Sequence, residues 1–451
     1  MTSGARWLSL VLLTGAIGHP AHPQVAPGLN IVVITLDTTR ADYLSAYGST
    51  RVWTPNLDRL AYDGIVFEQA VSVAPLTLPA HCSLFTGLLP QRHGVRDNAD
   101  GPLKPEHETL PALLRARGYR TSAFVGSTVL QADRGLARGF DVYSDGAPAD
   151  RWTPRRPDRP ADAVIDEAVE WLGRNHGSPL FMWVHLNDAH APYEPPEPYQ
   201  SLYPHDPYAG EIAFADSQLG RLLDALEARG LLNRSAIIVA GDHGESLGEH
   251  GENEHGMFVY QSVVRVPLIV RVPGIRARRV SALARLVDVM PTATELAGME
   301  ATRVDGVSLL PLLTGAAKSL KIDAYSESLY PARFGWSPVR ALRDERFKLI
   351  DAPRPELYDL DNDPGEQINL YEERPSVAAA LAKRIADLDR GTERHPTNRS
   401  EVSTDIRDRL ASLGYTSGSP SLPISILPNS ADPKDHITRF NELTRRRRLR
   451  W

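Results

Sequence analysis

The chain has a single cysteine among 451 residues, Cys82, so no intrachain disulfide can form. Cys82 opens an apolar helix face, where a buried, unreactive thiol is the expected state. After the N-terminus no run approaches the ~20 apolar residues needed to cross a bilayer. There is no strong excess of one charge: a net −6 is small for this length and gives no basis for nucleic-acid binding. No internal repeat is evident, which removes solenoids and propellers. What remains is an ordinary globular composition, 42% apolar and 24% charged, on a chain long enough for one large α/β domain and a smaller one.

Residues Met1–Gln24 read as a secretory leader. Arg6 gives a positive start, Trp7–Ile17 is apolar but short, and small residues at Gly18–Ala21 permit cleavage. The expected compartment is secreted or periplasmic, and the absence of a cysteine near the leader's end argues against lipid attachment. An uncleaved anchor is the alternative.

Leu29–Leu36 is a continuous β-branched and apolar run, the signature of a strand buried on both faces, and Asp37 stands at its carboxyl end. Helical spacing follows at Pro55–Ala61, Leu110–Ala116, Ala161–Leu172 and Ile212–Leu226. Strand runs alternate with them at Tyr119–Val125, Pro179–Leu186 and Ala236–Ala240. This alternation predicts a mostly parallel sheet flanked by helices, with ligands at the strand ends. The Pro179–Leu186 strand delivers H-L-N-D-A-H-A-P-Y, and the Ala236–Ala240 strand delivers G-D-H-G-E. After Gly315 the texture changes: Val339–Ile350 alternates like an antiparallel pair. The expected divisions are a leader at 1–24, a catalytic α/β domain at 25–315, a small antiparallel-sheet subdomain at 316–392 and a loosely packed tail at 393–451. The tail ends in Arg445–Arg448, Arg450 and Trp451, read as solvated, with contact to an anionic surface as the alternative.

The segment Thr77–Gly94, T-L-P-A-H-C-S-L-F-T-G-L-L-P-Q-R-H-G, places a hydroxyl two residues before Pro79. Proline favours the first helical turn, so Thr77 is expected just outside a helix N-terminus, where an anion is favoured. A plain N-cap is the bland reading. Asp37, Asp242, His243 and Thr77 offer two carboxylates, an imidazole and a hydroxyl, a donor set suited to one divalent cation if the fold brings them together. Helix capping and a simple D-H-G turn are the competing explanations.

The Thr77–Gly94 segment resembles the sulfatase signature, C/S-x-P-S-R followed by an apolar helix, T-G and H-G. The resemblance runs from about Asn30 to Tyr371 and implies the alkaline-phosphatase-like fold. It puts Thr77 at the nucleophile position and His81 at the Arg position. G-D-H-G-E-S-L-G-E-H-G falls at the D-N-G motif, which makes Asp242 and His243 the metal pair. Asp37 matches the first Asp of the D-D pair, with Thr38 in place of the second. His255 matches an active-site Lys, and His190 a substrate-contacting His. The departures form a set. One acid is lost and an imidazole replaces an amide, which favours zinc or manganese over the calcium of sulfatases. The combination is similar to the catalytic domains of phosphoethanolamine transferases and lipoteichoic acid synthases, which carry a Thr nucleophile.

A Thr is not expected to mature to formylglycine. Thr77 is instead expected to attack directly and form a covalent ester that water then opens, which favours phosphoester or phosphodiester substrates over sulfate esters. The resemblance gives His190 and His255 the tasks of stabilising the transferring group and protonating the leaving oxygen, while His81 orients Thr77 or contacts the substrate. His93 is read as structural, and Glu249 and His250 receive no role. A second metal on Asp188, His190 and His255 is the two-metal variant. The expected substrate is a small-molecule, glycan or lipid ester. The alternatives to a hydrolase are a phospho-group transferase and a silent protein that binds anionic glycans.

Overall fold

A computed structural model describes residues 28–146, 158–175, 179–300, 303–390 and 431–448. The expected leader lies outside the described residues.

The large sheet has eight strands: β1 (Asn30–Leu36), β2 (Ile65–Val71), β3 (Arg120–Val125), β4 (Val142–Ser144), β5 (Leu180–Leu186), β6 (Ser235–Gly241), β7 (Arg265–Arg271) and β8 (Arg278–Arg285). Their order is β4-β3-β5-β1-β6-β7-β2-β8. All neighbours are parallel except β7, which runs antiparallel to both β6 and β2. β1 is central, and every one of its residues is buried. Alternation along it serves two cores. Val32, Ile34 and Leu36 pack with Val164, Leu172, Leu219 and Leu223 of two helices on one face. Ile31 and Val33 pack with Leu78, Leu84, Phe85 and Leu114 on the other. The mostly parallel, doubly covered sheet read from the alternation is present.

Register positions the site. Leu36 is paired with Leu186 on one side and Gly241 on the other. The ladder runs one step further, with Asp37 N–H bonded to the Leu186 carbonyl and Asp242 N–H to the Leu36 carbonyl. The segments that follow β5, β1 and β6 therefore leave the sheet side by side.

The second sheet is antiparallel, in the order β12-β11-β10-β9, from β9 (Ala324–Ser328), β10 (Val339–Arg343), β11 (Phe347–Asp351) and β12 (Glu356–Asp359). The Pro375–Arg390 helix covers it through Ala378, Leu381 and Ile385, in a core shared with Val73, Ala74 and Leu89 of the large domain. Beyond it, Ala431 makes a bridge to Trp336, and the Ile437–Arg448 helix buries Phe440 against Tyr330 and Phe334. No helix among the described residues is long and apolar enough to cross a membrane.

Candidate active site

Thr77 is the first residue of the Thr77–Thr86 helix, with Leu76 at the cap. The sequence placed it one position earlier, outside the helix. The difference follows from the capping partner: Asn98, twenty residues on, takes the Leu78 N–H at 2.8 Å, so Thr77 need not spend its hydroxyl as the cap. All ten residues of the helix are buried, and it ends at Gly87 with φ 67°, a left-handed stop that glycine tolerates.

Asp37, Asp242 and His243 converge, with ligand atoms all within 4.8 Å of one another. His243 Nδ1 lies 2.9 Å from the Gly244 carbonyl, which can only accept, so Nδ1 carries the hydrogen. Nε2 then sits 3.3 Å from Thr77 Oγ1, 3.7 Å from Asp37 Oδ1 and 3.8 Å from Asp242 Oδ2. Asp242 Oδ1 accepts the N–H groups of Thr38 and His243, and Asp37 Oδ2 lies 3.2 Å from His185 Nε2. The other oxygen of each acid, Asp37 Oδ1 and Asp242 Oδ2, is buried without a hydrogen-bond partner. Two orphaned carboxylate oxygens, an imidazole nitrogen and a hydroxyl in one buried space fit a divalent cation.

The electrostatics agree. Burial pushes the Asp37 carboxyl up, only partly offset by His190 and His243. Burial and the neighbouring Asp37 do the same to Asp242. Burial works against a charged His243, but Asp242 and Asp37 outweigh it and raise its pKa. Raised values mean that a cation binding here competes with protons for the same atoms.

Thr38, which the resemblance sets at a second-acid position, adopts φ 48°, unusual for a β-branched residue. Its hydroxyl donates to the Ala189 carbonyl while its N–H turns to Asp242, so this strained residue supports the cluster and does not join it.

His81 lies in the same helix, with Nδ1 2.7 Å from the Thr77 carbonyl and Nε2 3.0 Å from Thr35 Oγ1. Burial lowers its pKa to about 3 and that of His185 to about 4, so both rings are neutral. His190 and His255 form the opposite wall, their ring centroids 5.3 Å apart, and His255 lies 4.5 Å from His243. Asp188 accepts the Ala161 N–H at the start of a helix. Asp188, His190 and His255 form no second trio of ligand atoms within 4.8 Å among the described residues. His93 bonds Ser83 and the Val95 N–H, His250 stacks on Tyr260, and Glu249 pairs with Arg40. Cys82 is buried in the core, its thiol pushed up by that burial.

The sequence reading passed over three residues. Glu245, quoted in D-H-G-E without a role, lies 2.9 Å from His255 Nδ1 and accepts the Tyr193 hydroxyl at 2.7 Å. His185 looked like one polar residue in an apolar strand, and Asn98 like a loop residue. Only Glu245 had a sequence signal, its place beside Asp242 and His243.

Residues 29–299 match the sulfatase family profile, and 248–391 match the profile described as N-sulphoglucosamine sulphohydrolase, C-terminal. The chain is 26% identical to an N-acetylglucosamine-6-O-sulfatase of Bacteroides thetaiotaomicron, over 82% of this chain and 88% of that one. It is 25% identical to arylsulfatase A of Bos taurus, over 85% and 90%. A solved complex with the substrate D-glucosamine-2-N,6-O-disulfate superposes with a TM-score of 0.71 at 23% identity, over 83% of this chain and 100% of that one. The phosphonate monoester hydrolase of Agrobacterium radiobacter gives a TM-score of 0.68 at 24% identity, over 84% and 98%.

Proposed function

The chain belongs to the sulfatase family, and from that premise we propose that it is a secreted, metal-dependent ester hydrolase that uses Thr77 itself as nucleophile and prefers phosphorus esters to sulfate esters. One observation carries this reading: Thr77 Oγ1 lies 3.3 Å from His243 Nε2, beside the orphaned oxygens of Asp37 and Asp242. Asp37, Thr77, Asp242 and His243 would hold one cation, and the nitrogen donor favours zinc or manganese over calcium. Such a cation lowers the hydroxyl pKa and neutralises charge on the transferring group. With its hydroxyl proton lost to solvent, Thr77 Oγ1 bonds to phosphorus as the bond to the organic oxygen breaks, and His255 or His190, protonated from solvent beforehand, gives its proton to that oxygen. Water then opens the Thr77 ester. Threonine has no elimination route, so a sulfuryl ester on it would be released slowly, whereas a phosphoryl ester opens by in-line attack. The phosphonate monoester hydrolase neighbour supports the fold as a host for phosphorus chemistry.

The test is a screen of aryl sulfates, phosphate monoesters, phosphodiesters and phosphonate monoesters, each with zinc, manganese and calcium. A slow phosphate ester should leave about 80 Da on the peptide containing Thr77, as a covalent phosphoenzyme requires. An adduct on Cys82, stoichiometric calcium in the active protein, or a clear preference for aryl sulfates would overturn the reading.

A further inference from the structure

His190 and His255 face the same space, but they are held differently. His190 Nδ1 lies 2.8 Å from the carbonyl of its neighbour Ala191, a neutral acceptor. His255 Nδ1 lies 2.9 Å from Glu245 Oε1, in the loop that starts at the metal pair. Glu245 is fully buried and His255 is 7% exposed, so water does not loosen this contact. The second carboxylate oxygen of Glu245 accepts the Tyr193 hydroxyl. Tyr193 packs edge-on against Tyr208, which donates to the Thr38 carbonyl and accepts the Arg40 N–H. One chain of contacts thus runs from His255 through Glu245 and Tyr193 to the loop behind Asp37.

We propose that Glu245, steadied by Tyr193, sets the ring and tautomer of His255, and so acts as a positioning residue for departure of the leaving oxygen. The inference rests on the reading of His255 as proton donor to that oxygen. A ring held through Nδ1 cannot turn over, because the turn would set a carbon against a buried carboxylate. One hydrogen is therefore fixed on Nδ1, and the proton given to the leaving oxygen is a second one, which Nε2, on the ring's other edge, takes from solvent before the substrate reacts. Glutamine at 245 has one accepting oxygen for two donors. The Tyr193 hydroxyl can also accept from the amide NH2, whereas His255 Nδ1 then meets either an uncharged, weaker acceptor or an NH2 that favours the other tautomer.

The test uses the metal-loaded enzyme and aryl and alkyl esters whose leaving alcohols span a range of acidity. His255→Ala should steepen the fall of kcat with rising leaving-group pKa. Glu245→Gln should steepen it too, losing about 10–100-fold on poor leaving groups and under ~3-fold on a nitrophenyl ester, with bound metal unchanged. The double variant should be no worse than His255→Ala alone, and nitrogen NMR of His255 should show the Nδ1–H form depleted in Glu245→Gln. Tyr193→Phe should move slope and spectrum the same way by less, and it decides the matter should Glu245→Gln not fold. An unchanged slope in Glu245→Gln, or in Tyr193→Phe alone, with His255→Ala still steep, overturns the role of Glu245 and leaves the proposed mechanism standing. An unchanged slope in His255→Ala removes the proton-donor reading and this inference with it.

Discussion

Two buried carboxylate clusters hold the Thr77–Thr86 helix, and they are built on opposite plans. At Glu327 both oxygens are taken by the Arg96 guanidinium, and Tyr325 adds its hydroxyl. Arg96 belongs to the turn whose Asn98 caps the helix. At Asp37 and Asp242 two anions face each other, and each keeps one oxygen without a partner. A satisfied buried ion pair fixes structure, whereas unsatisfied lone pairs that converge leave a place for a cation. Burial of an acid therefore does not identify function; the surplus of acceptors does.

The largest way to sharpen that contrast is Thr77→Ala, which removes the hydroxyl from the open cluster. Turnover should fall on the order of 10⁶-fold, as when one of a set of catalytic groups acting together is removed, while the thermal midpoint of the apoprotein barely moves. Steady-state assays and melting curves on the same sample check both halves. At the closed cluster the result should invert. Glu327→Gln leaves Arg96 short of its counter-charge, a change that costs about 3–5 kcal/mol in buried pairs. Urea denaturation would register the loss, with metal content unaltered under native conditions.

A smaller effect of opposite sign is expected from Asp37→Asn. In chelator it relieves the facing anions, so the variant should be more stable than wild type by on the order of 1 kcal/mol, the usual gain when a functional site is relaxed. Metal binding and activity should be lost. The same substitution at the closed cluster gives no such gain, and a destabilised Asp37→Asn apoprotein would break the comparison. The smallest effect is its pH dependence. Asp37 and Asp242 have folded pKa values raised above the ordinary 3.8, so the apoprotein binds more protons folded than unfolded. Its stability falls as pH rises from about 4 through the raised values. His243, also raised, adds stability present below about 6.5 and lost as pH climbs through its folded value. The gap between chelated wild type and Asp37→Asn should therefore be widest near neutrality and close toward pH 4, as melting curves at several pH values would show.

Much of the sheet was legible because β1, β5 and β6 are continuous apolar runs with a polar residue at the carboxyl end, a pattern fixed by burial on both faces. The same feature exposed Asp37, Asp242 and His243 as candidates. Their convergence was not legible, since β1 and β6 lie far apart in the chain and only pairing register joins them. The reversed direction of β7 carries no periodic mark, because its burial pattern resembles that of a parallel strand. Glu245 was hidden for another reason. Its partners His255 and Tyr193 lie ten and fifty-two residues away, so no spacing rule links them. The Asn98 cap was hidden in the same way, and that is why Thr77 was placed one residue too early.

The pairing of Leu36 with Gly241 also sets an order of events in time. Closing so long a loop is entropically costly and slow, and such contacts form after local helices and hairpins. A growing or refolding chain holds Asp37 and Thr77 long before Ser235–Gly241 can dock beside them. Until it docks, a cation finds one carboxylate and a hydroxyl, too few to be retained. On the proposed function, metal uptake is thus a late step, and a chain that holds a cation at this site has already closed its central sheet.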